Sequence, residues 1–493
     1  MIKWLKRHDS AHILMGNLTH LLSVNLLKRN YSVFYLKRTG YDEKTNKKCN
    51  YSYTRSNNRQ SRESDMLING STIEAIAPHL EAEKHEEYEE IDATDRIIMP
   101  GFVDSHRHTW ESLIRNIGVD WSLQTYLGEI YYGNYGSLRR PQDDYIGNLI
   151  GALEALDAGV TTLLDWTMIQ SPDHTHELVR GLDDAGIRAV FAHGSPGDAS
   201  FWNNDSAIDN AEDARRAKAR YFSSDDQLLT MGLAIRGPEF SAWETSVREI
   251  QLARELDAVC SMHLGFGTWG HSSQSITRLA EANLLGRDLN FAHANAIRPE
   301  EVRLLAEKGG SISVTPEIEM LMGHGYPATG LALENGINPA LGVDVVTSTG
   351  GDLFTQMKFA LQAERARINQ QLLNEGTMPG PELHLTAERV LEMATIDGAK
   401  ALLLDDKIGS LTPGKQADFI MIRKDAINVF PVNDPVGVVT QCAHTGNIDA
   451  VYVAGKAVKK DGKLLHHDLT KLRKLAQESR DFLIKSKQKA VQK

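Results

Sequence analysis

Between about residues 101 and 404 the sequence repeats one pattern: a short apolar run, then a segment of helical period. The runs cover residues 101–103, 161–164, 189–192, 229–234, 259–262, 289–292, 311–314 and 339–343. Helical patterns, such as residues 145–158 and 299–308, lie between them. A helix between two strands carries the chain back across the sheet, so successive strands run parallel. Eight such units in about 300 residues predict a closed α/β barrel. An open doubly wound sheet is the other arrangement the alternation permits.

The flanks read differently. Residues 65–100 hold short strands: Met66-Leu67-Ile68, a turn at Asn69-Gly70, then residues 73–76. Residues 405–465 return to short strands, with turns at Pro413-Gly414 and Ala454-Gly455. Residues 466–493 form a tail whose charged part, from Leu469, reads as a solvated amphipathic helix. Residues 1–64 carry 13 Lys+Arg against 4 Asp+Glu, a net +9. They read as a basic, loop-rich and partly disordered extension or insertion without chemistry of its own.

The whole chain carries −11, so residues 65–493 carry −20. An acidic body argues against nucleic acid as the main partner. No run of 18 apolar residues is present, so no membrane span is expected. No apolar stretch precedes a small-residue cleavage site, so secretion is not expected either. The three cysteines, Cys49, Cys260 and Cys442, form no CxxC. That excludes a disulfide framework and a cysteine zinc site, and it fits the cytoplasm.

The chemistry concentrates at strand ends. In Val103-Asp104-Ser105-His106-Arg107-His108 the two histidines are spaced i, i+2, which puts them on one face of a strand. Barrel enzymes place their reacting groups at that end of the strands. Met262-His263, Phe291-Ala292-His293 and Gly342-Val343-Asp344 close three later runs in the same way. Such a mixed nitrogen and oxygen set suits zinc, ferrous iron or another borderline metal better than calcium or magnesium. Taken singly, each histidine also reads as a buried core histidine, and Asp344 as a helix cap.

Several segments beyond these residues resemble the amidohydrolase superfamily, in the branch of cytosine deaminases, adenosine-type deaminases and triazine hydrolases. They are Ile98-Met99-Pro100-Gly101-Phe102 leading into the paired histidines, Ala158-Gly159-Val160-Thr161-Thr162, Met393-Ala394-Thr395, Gly409-Ser410-Leu411-Thr412-Pro413-Gly414-Lys415-Gln416-Ala417-Asp418 and Val451-Tyr452-Val453-Ala454-Gly455. The resemblance spans about residues 65–465. It implies a distorted (β/α)8 TIM barrel (101–404) packed on a small β-sandwich built from both chain ends (65–100 with 405–465). The first sandwich strands are then expected within residues 1–64, with 12–24 as one candidate and 28–64 as a long insertion.

The same resemblance implies one divalent metal, zinc or ferrous iron, held by His106, His108, His263 and Asp344. His293 would stand beside the metal-bound hydroxide, and Asp344 would act as its base. Binuclear relatives use a lysine at the fourth strand, and residues 229–238 contain none, which favours one metal. Deaminases of this branch carry a glutamate three residues after the fifth-strand histidine. Here that residue is Phe266, and Glu317 is the nearest candidate to replace it. Trp110, His193 and His324 are candidate substrate contacts, each with an equally plain structural reading.

The resulting expectation is a metal-dependent hydrolase acting on a non-peptide C–N bond of a small cyclic substrate, with release of ammonia. A homo-oligomer is the family habit. An amide, urea, carbamate or dechlorinating hydrolase with the same metal site is the close alternative. A catalytically silent barrel serving as a binding subunit, and a barrel lyase or isomerase, are the more distant ones.

Overall fold

The computed structural model describes residues 65–77, 80, 91 and 93–491, with two further short strands, Arg38–Thr39 and Asn50–Tyr51, paired antiparallel. The expectations for residues 12–24 and for the rest of the basic segment lie outside the described residues.

Each of the eight apolar runs contributes a strand. In chain order these are Phe102–Arg107, Val160–Trp166, Arg188–Gly194, Leu229–Ile235, Val259–Leu264, Leu289–His293, Ser311–Val314 and Ala340–Leu341. Each lies beside the next in one eight-stranded sheet, and every neighbouring pair is parallel. A parallel bridge between Arg107 and Asp344 closes the sheet on itself. Across that seam the His106 carbonyl accepts the Asp344 N–H, and the Asp344 carbonyl accepts the His108 N–H, both at 2.9 Å. The fold is a distorted (β/α)8 barrel, and the open sheet is excluded.

Every residue of the first three barrel strands is buried. Such strands face side chains on the inside and helices on the outside, so both faces must be apolar or paired. Arg107 shows the rule at work. It is fully buried, and its guanidinium donates to Glu154 at 2.7 Å, to Asp104 at 3.3 Å and to the Gly351 carbonyl at 3.1 Å. With Arg107 turned outward, strand alternation turns His106 and His108 inward.

The covering helices start and stop on local signals. Pro299–Lys308 opens with proline, carries Glu300 and Glu301 in its first turn, and ends at Gly309 with φ of 97°. Proline lacks only an N–H the first turn leaves unpaired, the acids favour the helix N-terminus, and glycine accepts the left-handed exit.

The eighth strand is shorter than the run that predicted it. Ala340–Leu341 forms the ladder to the seventh strand, and beyond it the chain keeps the single bridge of Asp344, whose φ is 68°, to Arg107. The tail also differs from expectation. Helix Leu469–Val491 is amphipathic, but one face is docked rather than solvated. Leu483 is fully buried, and the Arg140 guanidinium lies 3.6 Å over the Phe482 ring.

The chain ends supply the small domain. Strands Arg96–Pro100, Phe419–Arg423, Ile448–Val453, Lys456–Lys460 and Lys463–Leu464 form one antiparallel sheet. The hairpin Asp65–Asn69 and Thr72–Ala77 packs on it through Met66, Ile68 and Ile73 against Phe419 and Tyr452. One buried ion pair ties this domain to the barrel. Arg188 Nε donates to Asp418 Oδ2 at 2.7 Å, and Asp418 also accepts the Ala454 N–H at 2.7 Å.

Candidate metal centre

Four strand ends converge on one point. His106 lies in the first strand and His108 just past its end, His263 lies in the fifth, and Asp344 follows the eighth. Their donor atoms all lie within 4.8 Å of one another, and all four residues are buried. His263 Nε2 is 3.1 Å from His106 Nε2 and 3.3 Å from His108 Nε2. Asp344 Oδ1 is 3.3 Å from His106 Nε2 and 3.4 Å from His108 Nε2.

This donor set fits a divalent metal. Ligands about 2.0–2.2 Å from a tetrahedral ion stand roughly 3.3–3.6 Å from one another. Three converging imidazole nitrogens and a carboxylate cannot satisfy one another by hydrogen bonds alone, whereas one cation serves all four. Charge agrees with geometry. Burial, then the neighbouring His106, pulls His108 down to about 3. Burial and the adjacent imidazoles push His263 well below its ordinary value. Neutral imidazole is the ligating form. Burial alone would raise the Asp344 carboxyl. The His106 hydrogen bond and the neighbouring imidazoles of His106, His293 and His108 outweigh it and hold Asp344 below the usual carboxylate range.

His293 ends the sixth strand with φ of 73°, a strained value for a residue with a side chain. Its Nε2 faces Asp344 Oδ2 at 3.8 Å, while Nδ1 lies 3.1 Å from Thr315 Oγ1 and 3.3 Å from Glu319 Oε1. Glu319, not Glu317, is therefore the carboxyl beside this ring. Sequence reasoning passed over it, although the strand-end position of His293 was a signal that an orienting partner should exist.

Close packing fixes the first strand. A Cβ on Gly342 would stand 2.8 Å from the His106 carbonyl oxygen and 2.9 Å from its Cβ. Overpacking of this kind costs about 1–3 kcal/mol. Gly342→Ala is expected to shift His106 and weaken metal retention in a competitive chelation assay, with far-UV circular dichroism unchanged. Retention equal to wild type would show that the strand yields without moving the ligand.

The sequence pattern of the Amidohydrolase family matches residues 97–458. The chain belongs to the amidohydrolase family. It is a metal-dependent amidohydrolase, a hydrolase of carbon–nitrogen bonds other than peptide bonds, and it acts on small molecules. The chain is 28% identical over 400 residues to a 5-methylthioadenosine/S-adenosylhomocysteine deaminase of Acetivibrio thermocellus, covering 78% of this chain and 86% of that protein. It is 25% identical over 417 residues to a 5'-deoxyadenosine deaminase of Methanosphaera stadtmanae, covering 82% and 91%. Its fold is similar to that of an adenosine deaminase from Xanthomonas campestris with bound zinc, with a TM-score of 0.74, 21% identity and coverage of 86% and 94%. It is also similar to an atrazine chlorohydrolase from Arthrobacter aurescens complexed with zinc, with a TM-score of 0.75, 20% identity and coverage of 87% and 97%.

A narrow cavity with about 30 Å³ of free space adjoins the amidohydrolase cluster. The walls include Tyr126, Tyr131, Trp202, Phe240, Phe266 and His324. Tyr126 donates its hydroxyl to Glu111 at 2.8 Å, and burial pushes the Glu111 carboxyl up to about 8.

The remaining predicted contacts divide. His324 lines the cavity, with its ring 4.6 Å from that of His293. Trp110, His193 and Glu317 do not line it. Trp110 is fully buried under the Arg139 guanidinium, 3.8 Å away. His193 Nε2 pairs with Asp213 at 2.8 Å. Glu317 turns toward helix Leu353–Asn374 and accepts from Gln356 Nε2 at 3.1 Å. Among the described residues no helix is long and apolar enough to cross a membrane.

Proposed function

We propose that this amidohydrolase removes ammonia from an aminated nitrogen heterocycle, with one zinc ion held by His106, His108, His263 and Asp344. The observation that carries this reading is the convergence of those four buried donors at one end of the barrel. Similarity to 5-methylthioadenosine/S-adenosylhomocysteine and 5'-deoxyadenosine deaminases supports the choice of an aminated ring.

Bound zinc would lower the pKa of a water toward ~7 and so supply a nucleophile at neutral pH. The protein does the rest. Asp344, ionised by its imidazole neighbours, accepts the proton of the attacking water and returns it to the departing amine. His293, oriented by Thr315 and Glu319, presents Nε2 to the same space and hydrogen-bonds the water or the ring. The aromatic walls exclude bulk water around the reacting carbon.

One observation favours a second reading. Phe266 brings no carboxyl to the cavity wall, and Glu317 faces away from it. An amide, urea, carbamate or halogenated ring needs less proton delivery at that wall than an amino group does. A cytoplasmic homo-oligomer completes the reading. Free Cys260 and Cys442 support the compartment, and family habit supports the assembly.

The test is ammonia release from aminated purines, pyrimidines and triazines by zinc-loaded protein, with His106→Ala as the blank. Release that vanishes in the variant supports the aminohydrolase. No release from metal-replete protein overturns it and moves the search to amides, ureas, carbamates and chlorinated rings.

A further inference from the structure

His324 is a side chain of the cavity wall with both ring nitrogens unpaired. It is 4% exposed and it lines the cavity, yet neither Nδ1 nor Nε2 has a hydrogen-bond partner among the described residues. Buried polar groups are nearly always paired, and leaving one unpaired costs about 1–3 kcal/mol. Several other polar groups of the wall are already engaged. The Tyr126 hydroxyl is spent on Glu111. His293 is held by Thr315 and Glu319. His108, His263 and Asp344 belong to the metal cluster.

The backbone holds the unpaired ring in place. His324 sits between Gly323 and Gly325, whose φ values of 91° and 130° suit glycine. Its own N–H donates to the Glu319 carbonyl at 3.2 Å, and its carbonyl accepts the Gly267 N–H at 2.9 Å. That second bond stitches the His324 loop to the loop carrying Phe266, and the two rings stand 5.1 Å apart. His324 and Phe266 thus form one rigid wall facing the metal cluster, with Phe266 supplying only an apolar surface.

We propose that His324 reads the substrate, its ring N–H donating to a ring nitrogen of a compact, flat aminated heterocycle held among Trp202, Phe240 and Phe266. The inference rests on the aminohydrolase reading for the identity of the ring. A flat ring is the shape that matches aromatic walls, through stacked and edge contacts. A ring nitrogen is an acceptor of the right kind, because burial pulls His324 down to about 3 and leaves it a neutral imidazole with one N–H. A polyhydroxylated substituent packed against this wall would leave its hydroxyls unpaired.

The experiment compares 4-aminopyrimidine with aniline, which match in shape and differ in ring nitrogens. Binding of each to zinc-loaded full-length protein is measured by calorimetry for wild type, His324→Phe and His324→Asn, with metal content measured alongside. Wild type is expected to prefer 4-aminopyrimidine by about tenfold. His324→Phe should abolish the preference with metal content unchanged, and His324→Asn, which keeps a donor, should restore part of it. A preference that survives in His324→Phe overturns the proposal. So does the absence of any preference in wild type, or loss of zinc from the variant. Ammonia release is scored separately. A preference that depends on His324, in a protein that releases no ammonia, would sink the aminohydrolase reading and leave the role of His324 standing.

Discussion

Replacing His263 by alanine is expected to strip the metal on dialysis and lower kcat/KM by about 10³-fold or more. His263 is the node of the cluster. Its Nε2 is 3.1 Å from His106 Nε2 and 3.3 Å from His108 Nε2. Its ring lies 5.2 Å from that of His108, nearly parallel, and 4.5 Å from Trp166, so neither its position nor its aim is free to vary. Alanine removes one donor and opens a gap beside the other three. The fold should persist, because the fifth strand is held by ladders on both sides. Metal content by atomic absorption and turnover of the substrate found in the ammonia screen are the two readings. Full metal content with less than a tenfold loss of rate would remove His263 from the ligand set.

Asp418→Ala is expected to destabilise the protein by about 3–5 kcal/mol, because it leaves the Arg188 charge buried and unpaired. Both side chains are almost inaccessible, at 7% and 2%. Arg188 keeps only a 3.2 Å contact to Gln416 Oε1. The Ala454 N–H in the small domain loses its acceptor as well. The pair joins the third barrel strand to the small domain, so the loss should appear as a lower urea midpoint with metal binding retained in the folded protein. Asp418→Leu combined with Arg188→Met should recover much of the loss, since an apolar pair replaces a buried ionic one at little cost. A midpoint for Asp418→Ala within error of wild type would show that solvent reaches Arg188.

The barrel is legible in the sequence because its strands are buried on both faces, which turns each into a continuous apolar run. The four clustered donors are legible for a related reason. Each stands where such a run stops, and the barrel gathers those stops at one end. The readings that differ fail for local reasons. Trp110 follows the paired histidines, but the strand ends at Arg107 and a tight helix, Thr109–Ile114, replaces the alternation. The side chain then goes under Arg139 instead of inward. Glu317 opens helix Pro316–Met322, where each residue turns about 100° from the last. Ile318 and Met322 take the cavity side, and Glu317 is left facing Gln356. Tyr131, Trp202 and Phe240 come from separate connections around the barrel mouth. No spacing in the chain links them, so only the folded barrel reveals the wall they make.

The seam of the barrel has a consequence for how the protein matures. His106 and Asp344 meet across the joint between the first and last strands, where Val343 N–H reaches Asp104 over a separation of 239 residues. A growing chain therefore exposes the paired histidines long before their carboxylate partner has been synthesised. A site that needs all four donors is complete only when the ring of strands has closed. An ion held by these four donors would fasten the two strands whose meeting brings them together. Occupancy of such a centre would then mark finished assembly, and a chain that misassembles the barrel would lack the full donor set.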